Sequence, residues 1–316
     1  MRFLTTSFLL LSLIAVGCNE STRSGAFDSG ARPPDLMTEQ LDFGRAGDFL
    51  MMPDLAPSLC PVQSPAGYVL HAMAPGVTVC RQESMDGTLN YVSVVDLKLA
   101  ELRSVSGPIV TARLRSGPYG GPDPTITRLD IGSLWQATQQ IRPKTIQIFD
   151  GQFFNPANNP TQLAFAVKQE GTALSDGAAS NQEFIGKKWV MQISNINHAA
   201  QIIPFDDSSL AAATQQWQDI ITNERVDTAI IGLDATADKG PADIVGRTFI
   251  GTDGIGICVF ISTHSTQADA NQTLLDFGAV AVMMLDGGTS TQSIWQGKDL
   301  INTGIKIPHA LAVSSR

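Results

Sequence analysis

Charged side chains are scarce in this 316-residue sequence, at 16%, and no cluster of Lys or Arg stands out along it. A nucleic-acid groove needs a concentrated positive field to displace counterions, so DNA and RNA are excluded as partners. The 21 Lys and Arg are in fact outnumbered by 30 Asp and Glu, for a formal net charge of -9. Cys-x-x-Cys and His-x-x-x-His spacings are missing, which removes the common zinc sites. There is no Gly-x-Ser-x-Gly elbow, no His-Glu-x-x-His and no Walker loop, so three large hydrolase classes lose their signatures. The four histidines (His71, His198, His264 and His309) are scattered without a partner pattern. What is abundant is apolar sequence, at 43%, which excludes wholesale disorder, and Gly (28) with Pro (17), which point to many turns and short strands.

The N-terminus carries an address. Arg2 precedes the apolar run Phe8–Val16, which is too short for a bilayer span of about 20 helical residues. The run closes in Ala15-Val16-Gly17-Cys18, which resembles a bacterial lipobox, with residues 1–17 as signal peptide and Cys18 as the lipidated first residue. An ordinary secretory signal cleaved near Gly17 is the alternative, and both readings place the protein outside the cytoplasm, as a membrane lipoprotein in the first case. Residues 18–59 mix Ser, Gly, Pro and Asp, with Pro33-Pro34-Asp35-Leu36 echoed by Pro53-Asp54-Leu55, and hold no helical or strand period. They read as a flexible tether, so the membrane is a partner through the lipid anchor alone. Residues 60–316 are the expected folded domain. Cys60 and Cys80 are candidates for a disulfide closing its entry, whereas Cys258, inside Ile255–Ile261, reads as a packing residue.

Within that domain, Tyr91–Leu97, Thr145–Phe149, Leu163–Val167, Trp189–Ile193, Thr228–Leu233, Ile255–Ser262 and Val280–Leu285 have strand character. Three helices are expected: Leu134–Ile141 capped by Ser133, Leu210–Asn223 capped by Ser208 or Ser209, and one from the Thr266/Asp269 capping box to Phe277, stopped by Gly278. Strands outnumber helices and do not alternate strictly with them. The expected fold is therefore α+β, a single β-rich domain with a mixed sheet and about three flanking helices. No internal repeat is convincing in the sequence.

Five Asp-Gly pairs occur, and most are turns. Two stand at strand ends. Asp150 closes Ile146–Phe149 and leads into Gly151-Gln152-Phe153-Phe154, and Asp286 closes Val282–Leu285 and leads into Gly287-Gly288-Thr289-Ser290. A carboxylate at the end of a rigid strand is well placed for catalysis, and a Gly-Gly-Thr-Ser run can turn N–H groups and hydroxyls towards an anion. His264, between a strand and a helix start, is a further candidate.

Asp150–Phe154, Gly246-Arg247-Thr248-Phe249-Ile250-Gly251 and Leu285–Ser290, in that order, resemble the signature blocks of the phosphodiester glycosidase family. Ile307–Val313 is similar to that family's terminal strand, and the resemblance extends over about Gly67 to Val313. It implies hydrolysis of a sugar-1-phosphodiester in a phosphate-linked envelope or exopolysaccharide glycan, with no organic cofactor and with a divalent cation left open. The transition state is oxocarbenium-like and the leaving phosphate is already acidic, so charge stabilisation matters more than a strong general acid. Asp286 is then the carboxylate that activates water or attacks the anomeric carbon, with Asp150 beside it. Arg247 is a phosphate clamp or, alternatively, a structural ion-pair residue. Thr248, Gly287, Gly288, Thr289, Ser290 and His264 are candidates for holding the phosphate or sugar, and Phe154, with Phe153, walls the pocket or belongs to the core. Three positions depart from the family pattern: Asp150 where Asn is usual, Gln152 for a second Gly, and Thr289 for a third Gly. An added carboxylate repels phosphate unless a cation or a shared proton intervenes. These departures keep open a second reading, a non-catalytic surface lipoprotein that binds glycan through a degenerate cleft.

Overall fold

A computed structural model describes residues 65, 67–111, 123–177 and 180–316. The lipobox with Cys18, the tether, and Cys60 with its proposed link to Cys80 lie outside the described residues. The chain enters as a meander, β1 (Val69–Ala74), β2 (Val77–Glu83) and β3 (Leu89–Asp96), and crosses into β4 (Ala100–Ser106). A short pair, β5 (Ile109–Thr111) and β6 (Thr125–Ile126), precedes α1 (Ile131–Ile141) and β7 (Thr145–Asp150). A hairpin of β8 (Ala166–Gln169) and β9 (Thr172–Asp176) follows. Next come β10 (Lys188–Ser194), β11 (Ala199–Pro204), α2 (Leu210–Thr222) and β12 (Thr228–Asp234), then β13 (Val245–Thr252), β14 (Gly256–Ser265), α3 (Gln267–Asp276) and β15 (Ala281–Met284). The last strands are β16 (Ser293–Trp295), β17 (Lys298–Ile301) and β18 (His309–Ser315).

Two sheets carry the fold. The larger runs β1-β2-β3-β14-β13-β15-β12-β10-β11, with the β8–β9 hairpin joined to β12, and the smaller runs β17-β16-β7-β18-β4. The fold is α+β and β-rich, with three helices among the described residues. Every named ladder is antiparallel, rather than mixed. The reason lies in where the helical crossovers land. α2 connects β11 to β12 across β10, and α3 connects β14 to β15 across β13, so strands that run in the same direction never become neighbours. The two units β10–β12 and β13–β15 thus share one ββαβ plan and meet where Leu233 faces Met284 and Asp234 faces Met283. This repeat is one of topology; in sequence the two units agree mainly in their Leu-Asp ends, Leu233-Asp234 and Leu285-Asp286.

Four layers result. One core fills the space between the sheets, with Val95, Phe149, Ile230, Ile257, Val259, Ile261 and Leu311. A second lies under α2 and α3, where Trp217, Leu274 and Phe277 meet Val190, Ile231, Phe249, Cys258 and Phe260. The third packs Ile131 and Leu134 of α1 on Ile148, Ile294 and Ala310. Successive residues of β14 therefore feed opposite cores, which is why Ile255–Ile261 reads as an unbroken apolar run and why Cys258 is fully buried.

The helices start close to where their caps predict. Ser209 accepts from Ala212 N–H at 3.1 Å, and the stripe Ala213, Trp217, Ile220 is buried. Thr266 Oγ1 caps α3 by accepting the Asp269 N–H at 3.1 Å, the first half of the expected capping box, and donates to the Asp269 carboxylate at 2.7 Å, which thus takes the hydroxyl rather than the Thr266 N–H. For α1 the cap is Asp130 instead of Ser133. Its carboxylate takes both the Ser133 N–H (2.8 Å) and the Ser133 hydroxyl (2.7 Å), which moves the start three residues earlier.

Candidate active site

The ends of β7 and β15 meet where the two sheets come together. β15 stops at Met284, and two residues later Asp286 N–H bonds Gly151 O at 3.0 Å, tying the large sheet to the residue after Asp150. From Gly288 to Ser290 the chain makes a single 3-10 turn. Close backbone approach explains its glycine neighbours. A Cβ on Gly246 of β13 would lie 2.0 Å from Gly288 O, and one on Gly151 would lie 2.4 Å from His309 Nδ1. Neither position has room for a side chain.

Above this junction lies a cleft of about 750 Å3. It is lined by Phe153, Phe154 and the Asn155–Gln162 loop, and by Asp286, Gly287, Gly288, Thr289 and Ser290. Ser180, Glu183, Phe184 and Lys239 join the lining from two loops. Lys239 is the cationic residue of this lining among the described residues, and its Nζ stands 5.2 Å from the Phe153 ring and 5.3 Å from the Phe184 ring.

Asp286 keeps a small opening to the cleft. Burial lifts its carboxyl to about 7 from an ordinary 3.8, opposed by hydrogen bonds from Ser290 and the Gly287 N–H and by the charge of Lys239. The Gly287 N–H donates to Asp286 Oδ1 at 2.9 Å, so it is engaged before any ligand arrives. Ser290 N–H turns back to Gly287 O and Thr291 N–H to Gly288 O. Among the described residues, the N–H groups of Gly288 and Thr289 remain as the donors of this turn without an internal acceptor.

The remaining sequence candidates fall into three groups. Asp150 and Thr248 form the floor below the cleft. Both are fully buried, and Thr248 Oγ1 donates to Asp150 Oδ1 at 2.9 Å. Burial and the neighbouring Asp286 charge hold the Asp150 carboxyl well above the usual range. Arg247 lies outside the lining. Its guanidinium donates to the main-chain oxygens of Ser265 (3.3 Å), Lys239 (3.1 Å), Gly240 (2.6 Å) and Asp243 (3.0 Å). These bonds tie down the loop that presents Lys239, which is the structural role left open for Arg247, though its partners are carbonyls and not a carboxylate. His264 is exposed at the end of β14, on the side of Asp86, and is not brought to the cleft.

Gln152 is likewise accounted for: its Nε2 donates to Ile231 O at 2.8 Å and its Oε1 accepts from Phe153 N–H at 2.9 Å, bracing the floor against β12. Two contributors escaped the sequence reading. Lys239 lies in a polar loop with no motif to mark it. His309 is buried under Gly151, where Nδ1 accepts the Gln152 N–H at 3.0 Å and Nε2, which must then carry the proton, faces Ser104 Oγ at 2.5 Å. Burial lowers it to about 3, so it is a neutral support and not a base. No group of three His, Cys, Asp or Glu side chains among the described residues is arranged to hold a metal ion.

The profile of the phosphodiester glycosidase family matches residues 133–314, a stretch that contains Asp150, Arg247, Asp286 and His309. The catalytic domain of zebrafish N-acetylglucosamine-1-phosphodiester alpha-N-acetylglucosaminidase, described as auto-inhibited by its pro-peptide, is similar in fold. The TM-score is 0.51 at 14% identity, over 80% of this chain and 87% of that one. A hypothetical protein from Synechocystis aligns at a TM-score of 0.42 and 14% identity, over 80% of this chain and 69% of its own. No curated protein matches the sequence. With the matched stretch spanning more than half of the chain and containing both strand-end aspartates, the protein belongs to the phosphodiester glycosidase family.

Proposed function

We propose that the protein hydrolyses a sugar-1-phosphodiester at the anomeric carbon, as an exported lipoprotein acting on a phosphate-linked glycan of the cell envelope or exopolysaccharide. The observation that carries this reading is Asp286: a carboxylate at the edge of a cleft, titrating near neutrality, within the field of Lys239 and beside the free N–H groups of Gly288 and Thr289. In the reaction the bond between the anomeric carbon and the phosphate oxygen breaks, and the phosphate leaves with the bonding electrons. Water supplies the new hydroxyl at the sugar and its proton to the medium. Asp286 either takes that proton from water or forms the glycosyl ester that water then opens. Lys239 and the two N–H groups meet the charge that grows on the departing phosphate. Asp150 and Gln152 are absorbed in the floor rather than placed in the substrate's path, which supports a working enzyme over a glycan-binding relic.

The test is hydrolysis of N-acetylglucosamine 1-phosphodiesters, with and without divalent cations. Asp286→Ala is expected to lower kcat by about 10²–10⁴-fold. Lys239→Met is expected to raise KM about tenfold, equivalent to about 1.4 kcal/mol of binding to the phosphodiester's existing charge, and also to lower kcat, because the charge that grows on the departing phosphate loses its partner. Because Asp286 must be ionised to act, activity rises with pH through about 7 in the parent. Activity that survives Asp286→Ala refutes the role assigned to it. Glycan binding without turnover on any phosphodiester makes the binding-protein reading the right one.

A further inference from the structure

Asp150 lies beneath the cleft, with no exposed surface. Its Oδ1 accepts two hydrogen bonds, from Thr248 Oγ1 at 2.9 Å and from Gln292 N–H at 3.1 Å. Its Oδ2 is buried and meets no donor. The surroundings offer no counter-charge. From β13 come neutral Thr248 and, next to it, Arg247, whose guanidinium is directed to four main-chain oxygens. From β18 comes His309, neutral and turned to Gln152 and Ser104. The segment before β16 contributes only the uncharged Gln292, and the turn after β15 adds a second carboxylate, Asp286. Lys239 acts on Asp286.

A buried anion with one oxygen unsatisfied, next to another carboxylate, is the least tolerated state such a site can hold. An un-ionised acid is better tolerated by the same geometry: Oδ1 keeps its two donors, and a proton on Oδ2 puts an uncharged hydroxyl where an unsatisfied anionic oxygen would otherwise be buried. We propose that Asp150 is a positioning residue held as an uncharged carboxylic acid, which keeps the floor in place and leaves Asp286 as the charge-bearing member of the two strand-end aspartates. Desolvation and the field of Asp286 both act to retain that proton. In shape and charge the acid then resembles an amide, with the same Oδ1 acceptor, so Asp at this position does the work of Asn without repelling phosphate.

The protonation part stands apart from the hydrolytic reading, and only the kinetic part rests on it. Infrared spectra of the full chain at about pH 8, above the Asp286 titration, are expected to contain a protonated-carboxyl C=O band that Asp150→Asn removes. Asp150→Ala is expected to lose at least about tenfold in kcat through a slackened floor, and Asp150→Asn to recover most of that loss. The parent's activity is expected to fall at alkaline pH, where Asp150 finally ionises, and the Asn variant to lack this fall. No protonated band in the parent overturns the proposal, as does a band that appears only after chelation, because Asp150 then holds a cation. An Asn variant that folds but is no better than Ala also overturns it. If the parent turns over no phosphodiester, the functional reading fails while the infrared result still decides the state of Asp150.

Discussion

A single histidine connects the floor of the site to the acid stability of the chain. His309 is neutral in the fold because burial lowers it to about 3 from an ordinary 6.5. Between those values the unfolded chain binds a proton that the folded one refuses, so stability is full above about 6.5 and is lost progressively as pH falls towards 3. His309→Asn keeps an acceptor for the Gln152 N–H but removes the titration. It is expected to cost about 1–2 kcal/mol at neutral pH and to shrink the drop in Tm between about pH 7 and about pH 4.5. An unchanged drop would assign the acid sensitivity to other groups. The placement of Asp150 and Asp286 at strand ends was legible from sequence because each closes an apolar run and precedes glycine. Lys239 and His309 were not. The first acts from a loop whose course is set by tertiary contacts, and the second is buried by a glycine, Gly151, more than 150 positions away in sequence.

At the level of elements, each ββαβ unit opens with a buried cation that fastens the loop before it. Lys188 of β10 pairs with Asp207 at 2.7 Å and bonds Asn181 O at 3.1 Å, holding the segment that carries Ser180, Glu183 and Phe184. Arg247 of β13 does the same for the loop that carries Lys239. The two loops touch, since Lys187 Nζ donates to Thr236 Oγ1 at 2.8 Å and Lys239 stands over Phe184. On the proposed function, Arg247 would act on substrate only through Lys239, and that is testable by a double-mutant cycle. Arg247→Met and Lys239→Met are each expected to raise KM about tenfold, and the double variant to be no worse than either alone. Multiplying effects would instead show Arg247 reaching the phosphate directly. Most central strands and all three helices were visible as apolar periods and caps. Among the strands that escaped, β1 and β17 lie at sheet edges, where one face is wet and the pattern fades, whereas β13 is central and buried but is broken up by Gly246, Arg247 and Gly251, which hide its apolar run.

Across the whole molecule, the antiparallel ladders of the large sheet follow from the two helical crossovers, and the candidate pocket sits at the junction between the sheets, where a charge is costly. Asp286 shows that cost. Its carboxyl titrates near 7 in the fold and at about 3.8 when unfolded, so the folded chain holds a proton that the unfolded chain has released across that window. Stability therefore declines as pH rises from about 4 to about 7, and the full penalty stands above it. A fully buried group with this shift would cost about 4 kcal/mol. The opening to the cleft lets water screen part of it, leaving about 1–2 kcal/mol. Asp286→Asn removes the charge and keeps the shape. At about pH 8 it is expected to raise Tm by about 2–6 °C while abolishing hydrolysis, and at about pH 4, where the parent carboxyl is protonated, to change Tm little. A destabilised variant at pH 8 would mean that the ionised Asp286 holds the turn at Gly287–Ser290 together through its bonds to Ser290 and the Gly287 N–H. In that case the residue owes its place to structure, and the base or nucleophile must be sought elsewhere in the cleft.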